Sequence, residues 1–351
     1  MTRQRICFRS LAILAALSLA GINAFAHCPD DASERGGFFA LTDENDAWSN
    51  PFGPHQDRHY THGIKLTYLG CDDDYTELTT RLNHFFAWGH QPLPGNLGFV
   101  AGQDMFTPEN ILDPLPIKTD RPYAGWLYAG MIYQRRNEHS AHYATMENFE
   151  LNFGLVGPES FADDTQTLIH RWRFPEDIPQ GWKNQIHDEP GVVLKYAHLW
   201  RYSLNDTTAR FFDVIPRAGF ELGNVAIFAT AGVTARLGIN LPADFGLQII
   251  DSPASVNGGL DAHTPWFACY TFAGVDGRCV AHDMALDGNS FRHSPSVEKY
   301  NFVNDLSWGV AVDLGRHLEI SWMQVTRSKE FHTQQQKDVF GSINFKARWD
   351  F

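Results

Sequence analysis

The chain has 351 residues, of which 43% are hydrophobic and 13% aromatic, and its 41 acidic residues outnumber its 28 lysines and arginines. This composition excludes an intrinsically disordered, collagen-like or coiled-coil chain. The acidic excess argues against nucleic acid as a partner, because binding to phosphates needs a basic surface.

The N-terminal residues have the pattern of a secretory signal peptide. Arginines precede the apolar stretch from Leu11 to Ala20, and an Ala-Phe-Ala sequence ends at Ala26. We therefore expect export, with residues 1–26 removed and residues 27–351 forming the mature domain. No later stretch has the ~18 consecutive apolar residues of a transmembrane helix, so the mature protein is expected to be either soluble or a membrane β-barrel.

Alternation of apolar and polar residues dominates the rest of the chain. In the last segment, every second position from Val339 to Phe351 is apolar or glycine, while Asp338, Lys346 and Asp350 fall on the other face. A period of two is typical of β-strands with one apolar face. About a dozen segments show it, near residues 36–46, 58–70, 97–106, 122–134, 145–156, 191–203, 209–222, 225–239, 265–284, 301–314, 316–327 and 338–351.

The length and composition of these segments favour an outer-membrane β-barrel. Strands of ~10 residues with an apolar face, a polar face and many aromatic residues suit a wall that has lipid on one side and a lumen on the other. An alternating strand that ends on the aromatic Phe351 is also typical of outer-membrane proteins. We predict an all-β fold, a single transmembrane antiparallel β-barrel of twelve strands in the cell outer membrane; a secreted β-sandwich, whose strands also alternate, is the alternative.

The topology of such a barrel brings distant polar clusters together. With both termini on the periplasmic side, odd-numbered strands run outward and even-numbered strands return. The outer rim then receives Glu44–Asp46 at the end of the first strand, Asp57–Thr61 at the start of the second and Gly157–Ser160 at the end of the fifth. Residues far apart in the chain are therefore expected to meet at one rim.

One segment, Ser160 to Trp172, has a helical rather than an alternating pattern. Ser160 is a suitable N-cap, and Asp163 three residues later gives a start that resembles a capping box. We expect this short extracellular helix to bury its apolar side and to present its polar side elsewhere. The apolar side carries Phe161, Thr165, Leu168, Ile169 and Trp172, and the polar side carries Asp163, Gln166 and His170.

Two kinds of chemistry suit the rim residues. His170 is of the residue type best suited to activate water near neutral pH. Asn45 and Asp46 offer oxygen ligands for a hard cation such as Ca²⁺, with Glu44 nearby. Each of these residues alone also fits an ordinary solvated residue or a rim turn. Ser160 is a candidate nucleophile, but its sequence lacks the last glycine of a G-x-S-x-G elbow, and an N-cap role also explains it.

Four cysteines follow the expected signal peptide, and export to an oxidising compartment would permit disulfides. We expect Cys28 and Cys71 to lie at the periplasmic rim, where they could pair. Cys269 and Cys279 fall on one predicted strand, over which ten residues span roughly 33 Å, too far for a bond between them.

A set of short motifs runs through the mature chain. They are Glu44-Asn45-Asp46, Asp57 to Gly63, Gln103 to Pro108, Asp120 to Trp126, Gly157-Pro158 with Gln166 and His170, Gly181-Trp182 with Gln185 and Glu189-Pro190, and Leu286 to Asn289. In this order they resemble the LpxR-type lipid A deacylase family over nearly the whole mature chain. Each motif alone is unspecific, whereas the combination is specific.

The resemblance implies a twelve-stranded outer-membrane barrel that hydrolyses the ester of the 3′-acyloxyacyl chain of lipid A in the outer leaflet, with Ca²⁺ as cofactor. It implies a phospholipase-A₂-like mechanism, in which His170 is the general base and no acyl-enzyme forms. Asn45 and Asp46 match the pair at the metal and active site, and Thr61 matches an active-site threonine. Lipid A or lipopolysaccharide would be the partner, and we expect a monomer.

The chain departs from the family pattern at two places. Family members carry a substrate-contacting lysine shortly after the third motif, where this chain has Glu109 to Asp113; the nearest lysine is Lys118. Glycines expected after Ser160 are replaced by Phe161, Ala162 and Asp163. These departures bear on the identity of the substrate.

Two other functions stay open at this stage. One is a structural or channel barrel without activity, although a pore does not need Asn45, Asp46, Thr61 and His170 together at its rim. The other is a serine-type outer-membrane phospholipase that uses Ser160 with His170. Ten residues of helix would separate these two by about 15 Å, which disfavours a direct pair.

Overall fold

The computed structural model describes residues 37–49, 58–70, 76–86, 95–204, 210–246, 249–250, 252–253, 266–315 and 317–349. The expected signal peptide at residues 1–26, and Cys28 and Cys71 with their expected pairing, lie outside the described residues.

Twelve strands dominate the described residues, close to the segments that alternation predicts. They are β1 (Gly37–Asn45), β2 (His59–Leu69), β3 (Gly95–Thr107), β4 (Ala124–Ser140), β5 (Tyr143–Val156), β6 (Glu189–Ser203), β7 (Phe212–Gly223), β8 (Ala226–Ile239), β9 (Phe267–Asp283), β10 (Phe302–Leu314), β11 (Leu318–Arg327) and β12 (Asp338–Trp349). The helices are α1 (Thr76–Phe86), α2 (Ala162–Arg173) and α3 (Met284–Asp287). Among the described residues, none of these helices is long and apolar enough to cross a bilayer.

The strands form one closed antiparallel barrel, because each pairs with its neighbours in the chain and β1 pairs with β12. The closing register runs from Gly37 opposite Trp349 to Asn45 opposite Gly341. The prediction of a twelve-stranded antiparallel barrel is confirmed, and the β-sandwich alternative is wrong. Closure leaves no strand edge without a partner, as a wall in lipid requires.

Ion pairs identify the face of the wall that lines the lumen. Lys65 of β2 pairs with Glu150 of β5 at 2.7 Å, and both side chains are fully buried. Since β2 and β5 are not adjacent in the sheet, this pair spans the lumen. The opposite face carries exposed apolar side chains such as Phe153 and Trp308, at 55% and 47% exposure. The barrel is thus polar inside and apolar outside, the arrangement of a membrane barrel.

The connection from β8 to β9 enters the lumen from the periplasmic end. Its described residues 241–246 are buried, and Arg236 of β8 pairs with Asp244. Further along, the backbone N–H of Ile250 donates to Glu44 Oε1 at 2.9 Å, near the outer end of β1. The described residues of this connection, 241–246, 249–250 and 252–253, fill part of the lumen and are called the lumen segment below.

The two cysteines among the described residues lie on one strand. Cys269 and Cys279 both belong to the continuous strand β9, and both are free and exposed. The prediction that they do not bridge each other is confirmed.

Candidate functional site

The polar clusters that topology predicts to share the outer rim do meet there. A pocket of about 390 Å³ is lined by Asn45, Asp46, Thr61 and His170 together with residues of the β3–β4 loop and the C-terminal half of α2. These four are the candidate site residues that the sequence indicates. The ends of β1 and β2 and the helix after β5 supply them, as the rim argument requires.

The pocket opens on the outer, membrane-side face of the barrel wall rather than into the lumen. Glu44 faces the lumen, so strand alternation places Asn45 on the outer face. A β-bulge at the start of β2 puts Thr61 and His62 on the same face. The Thr61 hydroxyl lies 2.7 Å from the Thr107 hydroxyl of β3, which fixes it against the wall.

The tight turn after β1 positions the two oxygen ligands that the sequence suggests. Asn45 Oδ1 accepts a hydrogen bond from the backbone N–H of Ala47 at 2.7 Å. Asp46 Oδ2 accepts one from the backbone N–H of Arg58 at 2.9 Å, which ties the start of β2 to the end of β1. The expectation that Glu44 lies beside them is wrong, because its side chain is on the lumen side of the wall.

A glycine allows this turn to lie flat on the wall. A Cβ at Gly341 of β12 would come within 2.4 Å of the backbone carbon of Trp48. Trp322 Nε1 donates to Trp48 O at 3.1 Å, and Gln324 Nε2 donates to Ser49 O at 2.8 Å. The turn is therefore fixed to β11 and β12 from outside the barrel.

Helix α2 starts later than the sequence suggests, and Ser160 is not its N-cap. The helix begins at Ala162, and Phe161 before it has a left-handed backbone with φ of 59°. Ser160 belongs to a preceding 3-10 turn, is fully buried and donates its hydroxyl hydrogen to Gly157 O at 2.5 Å. The capping-box prediction is wrong because this hydroxyl bonds back to the turn instead of accepting from a helix N–H.

The orientation of α2 is the reverse of the expected one. Its buried residues are Ala162, Gln166 and His170. Leu168 and Trp172 of the apolar stripe are 54% and 84% exposed. The prediction of a buried apolar stripe and an outward His170 is wrong, because the helix packs on the outside of the wall through its polar side, where Gln166 accepts a hydrogen bond from Trp182 and His170 lies beside the Asp177 carbonyl.

His170 is buried and oriented by a backbone carbonyl. Its Nδ1 lies 2.6 Å from Asp177 O, and the residue is only 6% exposed. Because a carbonyl only accepts, Nδ1 carries the hydrogen, and in the neutral ring Nε2 holds the lone pair. This is the tautomer that a general base needs.

The side chain of Gln166 links α2 to a motif downstream of it. Trp182 Nε1 donates to Gln166 Oε1 at 2.6 Å, and both residues are buried. The Trp182 ring packs on Tyr123, with ring centroids 4.8 Å apart. The Gly-Trp motif thus holds the helix, and with it His170, at a fixed distance from the wall.

Other residues of the pocket were missed at the sequence level. Arg58 lines it and pairs with Glu109 at 2.9 Å, and Glu109 belongs to the stretch that departs from the family pattern by lacking a lysine. His62 also lines it, and its Nε2 lies 3.1 Å from Asp43 Oδ2. Both residues belong to the Asp57 to Gly63 motif, and Arg58 also belongs to the cluster that topology predicts at the outer rim, so the sequence did contain a signal for them. Lys118 does not line this pocket.

Asp120 fixes the loop that carries Glu109. Its carboxylate accepts hydrogen bonds from the backbone N–H groups of Glu109 and Arg121, each at 2.7 Å, and lies 3.5 Å from His59 Nε2. Burial raises the pKa of Asp120, but the hydrogen bonds from His59 and the backbone outweigh it and hold this pKa below its ordinary value. Asp120 is therefore ionised at neutral pH and keeps the loop in place.

The donor set of the pocket suits a hard cation. Asn45 and Asp46 present amide and carboxylate oxygens, and Ca²⁺ takes oxygen ligands from carboxylates, amides, main-chain carbonyls and water. The described residues contain no cluster of three or more His, Cys, Asp and Glu side chains that could hold a metal by themselves. A cation here would thus need main-chain, water or substrate oxygens in addition to one carboxylate.

A serine, histidine and aspartate also meet on another part of the rim. Ser290 Oγ lies 3.0 Å from His282 Nε2, and His282 Nδ1 lies 3.5 Å from Asp287 Oδ2. However, Ser290 Oγ and His282 Nε2 lie 2.8 and 3.1 Å from Asn224 O. A carbonyl only accepts, so Nε2 carries a hydrogen and cannot take the serine proton. We interpret the cluster as a clamp on the β7–β8 turn.

Comparisons with known proteins agree with this architecture. A family model described as "Outer membrane protein LpxR" matches residues 11–349. The structure of LpxR from Salmonella typhimurium superposes with a TM-score of 0.69 at 18% identity, over 89% of this chain and 100% of that chain. The β domain of the Bordetella autotransporter BrkA gives a TM-score of only 0.44 at 8% identity, over 91% of this chain and 100% of that chain. A search of curated proteins found no match. From the extent of the family match, the chain belongs to the LpxR family of outer membrane proteins.

Proposed function

We propose that this protein is a Ca²⁺-dependent lipid A deacylase that hydrolyses the ester of the 3′-acyloxyacyl chain. The observation that carries the proposal is the meeting of Asn45, Asp46, Thr61 and His170 in one pocket on the outer face of the wall. Membership of the LpxR family supports a lipid A deacylase.

The position of the pocket supports a lipid as the substrate. A small soluble substrate would reach a pocket inside the lumen or above the rim equally well. A membrane lipid reaches the outer face by lateral diffusion, whereas the lumen is polar and occupied by the lumen segment. The apolar Ile169 and Leu112 line the same pocket beside the polar residues, which suits an ester between an acyl chain and a sugar.

In the proposed reaction, His170 acts on water. Its Nε2 accepts a proton from a water molecule while the water oxygen adds to the ester carbonyl carbon. The bond from this carbon to the sugar oxygen then breaks, and the proton on His170 passes to that oxygen. The products are a carboxylic acid and a free sugar hydroxyl. The Asp177 carbonyl keeps the ring in the tautomer that both proton transfers require.

Asn45 and Asp46 are the residues that would hold Ca²⁺ in this proposal. A bound divalent cation supplies positive charge that favours the negatively charged state of the ester oxygen. Arg58 supplies a fixed positive charge to the same pocket, although its pairing with Glu109 partly neutralises it. We infer that Arg58 assists binding of the anionic lipid headgroup.

Mass spectrometry of lipid A tests the proposed function. Lipid A from cells that produce the protein should lose the mass of the 3′-acyloxyacyl group, and lipid A from cells without it should retain that mass. Unchanged lipid A in both, with the protein correctly inserted in the outer membrane, would contradict the proposal.

If the protein were a channel, its lumen would conduct ions. The structure favours a closed lumen. The lumen segment and the Lys65–Glu150 pair occupy the interior. We expect purified protein in planar lipid bilayers to give no stable open-channel steps. Stable, porin-like conductance would show that the lumen is open and would favour the channel function.

The serine alternative predicts that a hydroxyl is essential. Ser160 is fully buried and bonded to Gly157 O, and Ser290 shares a carbonyl with His282. We expect Ser160→Ala and Ser290→Ala each to keep the deacylation rate within about threefold of the unaltered protein, because neither hydroxyl takes part in water activation. Initial rates on purified lipopolysaccharide measure this. A loss of ~10²-fold or more in either variant would favour a serine nucleophile.

A further inference from the structure

The exposed side of the C-terminal half of helix α2 carries large apolar residues beside the candidate site, whereas Asp163 and Asp164 are exposed at its N-terminal end. Leu168, Ile169 and Trp172 are 54%, 39% and 84% exposed. Arg171 and Arg173 flank the tryptophan and are also exposed. A helix with exposed leucine and tryptophan next to arginines has the composition of a helix that lies in a membrane interface.

Helix α2 is attached to the membrane-side face of the barrel. A Cβ at Gly125 of β4 would come within 2.5 Å of Ala162 Cβ, so this glycine lets the helix start directly against the wall. Gln103 Nε2 of β3 donates to Ser160 O at 2.6 Å from the same face. Two residues further along β4, Leu127 pairs in register with Leu155 of β5, which is exposed on the outside.

Aromatic residues mark the periplasmic end of the apolar band below the helix. Tyr133, Phe149, Tyr196 and Phe220 form a row across β4 to β7, with successive ring centroids 6.3, 4.9 and 5.4 Å apart. Just beyond this row toward the periplasm, Arg135 pairs with Glu147. A row of aromatic residues bordered by charges is typical of a membrane interface.

The position of the helix along the membrane normal follows from the position of this aromatic row. A strand that rises ~3.4 Å per residue and is tilted by about 40° advances ~2.6 Å per residue along the membrane normal. The apolar band of an outer-membrane barrel is ~25 Å tall, or about ten residues of such a strand. Counting from Tyr133 toward the outer end of β4 leads to Tyr123, next to Gly125 where the helix is attached. The helix therefore lies at the outer boundary of the apolar band.

We propose that α2 is an interfacial anchor, with Leu168 and Trp172 among the acyl chains of the outer leaflet and its arginines toward the anionic headgroups. The helix is attached to the wall at the outer boundary of the apolar band, and the wall carries the exposed Leu155 on the same face close to the attachment point, which is why lipid rather than another protein is its occupant. This inference does not depend on the proposed catalytic role of His170.

Quenching of tryptophan fluorescence by brominated lipids tests the anchor. The protein is refolded into phosphatidylcholine vesicles with and without dibrominated acyl chains, and the difference between unaltered protein and Trp172→Phe isolates the signal of Trp172. Trp308→Phe is the positive control, because Trp308 is an exposed residue in the middle of β10. Trp126→Phe is the negative control, because Trp126 is 5% exposed.

We expect the signal of Trp172 to be quenched at least half as strongly as that of Trp308, and more by bromines near the headgroup than by deeper ones. Adding Leu168→Trp to the Trp172→Phe protein should restore a lipid-quenched signal. Two outcomes would show that α2 does not lie in the leaflet and that the proposal is wrong. In the first, brominated lipids quench the Trp172 signal no more than the Trp126 signal. In the second, aqueous acrylamide quenches the Trp172 signal, and brominated lipids quench it less than half as strongly as they quench the Trp308 signal.

Discussion

Replacing His170 with alanine is expected to lower the rate of lipid A deacylation by ~10²–10⁴-fold, the usual effect of removing a general base. The expected loss follows from the position of the ring, which lines the pocket with Asn45, Asp46 and Thr61 and is held in one tautomer by Asp177 O. Initial rates on purified lipopolysaccharide in detergent, with product quantified by mass spectrometry, measure the effect.

A loss of activity must be separated from a loss of structure, because His170 is buried. Alanine removes the hydrogen bond to Asp177 O, and a typical hydrogen bond contributes ~0.5–1.5 kcal/mol to stability. His170→Asn is the sharper variant, since its amide N–H₂ can donate near the position of Nδ1 while offering no basic nitrogen. We expect it to be as inactive as alanine and to retain the heat-modifiable gel mobility of a folded barrel.

His293→Ala is the matched control, because it removes an exposed imidazole from the same outer rim. It should leave the rate unchanged. A folded His170→Asn protein that deacylates lipid A at the rate of the His293→Ala control would show that His170 is not the base. His62, held by Asp43 in the same pocket, would then be the first residue to test in its place.

The strands of the barrel could be predicted because their physical cause is local. Each strand separates lipid from a polar lumen, so alternation is imposed on every residue of the wall. Strand β8, for example, is predicted at 225–239 and observed as Ala226–Ile239. The shared outer rim of Asn45, Thr61 and the segment that carries His170 could also be predicted, since it follows from strand direction, whereas their meeting in one pocket depends on which face of α2 is buried.

The face of α2 that is buried could not be predicted from its amphipathic pattern. The pattern separates an apolar from a polar side but does not say whether water or lipid surrounds the helix. Here Gln166 and His170 turn inward and Trp172 turns outward, which fits the position in the outer leaflet that we propose for α2. The position of the lumen segment could not be predicted from the sequence for a related reason. Its place depends on partners such as Arg236 for Asp244, which meet only after the barrel has closed.

One error could have been avoided from the sequence. Adjacent residues of a strand face opposite sides, so Glu44 and Asn45 cannot both point into a pocket on the outer face. The structure gives Glu44 a different task, as an acceptor for Tyr60 Oη and for the backbone N–H of Ile250 in the lumen. The pair that remains for a cation is Asn45 and Asp46.

Asp46→Asn is expected to raise the Ca²⁺ concentration for half-maximal deacylation on the order of tenfold or more, because Ca²⁺ affinity depends on the number of charged ligands. The amide oxygen of asparagine can still accept from the Arg58 N–H, so the turn should keep its shape. Asn45→Asp makes the opposite change. It keeps the acceptor for Ala47 N–H, adds a carboxylate and is expected to lower the Ca²⁺ requirement.

Calorimetric titration measures the Ca²⁺ affinity of these variants without reference to activity. In a separate test, chelation of Ca²⁺ with EGTA should abolish deacylation by the unaltered protein as completely as His170→Ala does. Asp164→Asn is the matched control, because it removes one negative charge from the exposed side of α2, outside the pocket. Its Ca²⁺ affinity should equal that of the unaltered protein. If Asp46→Asn binds Ca²⁺ as tightly as Asp164→Asn, or if EGTA leaves the rate unchanged, Asn45 and Asp46 do not hold the cation. Their place beside His170 would then serve to orient the lipid ester through hydrogen bonds alone.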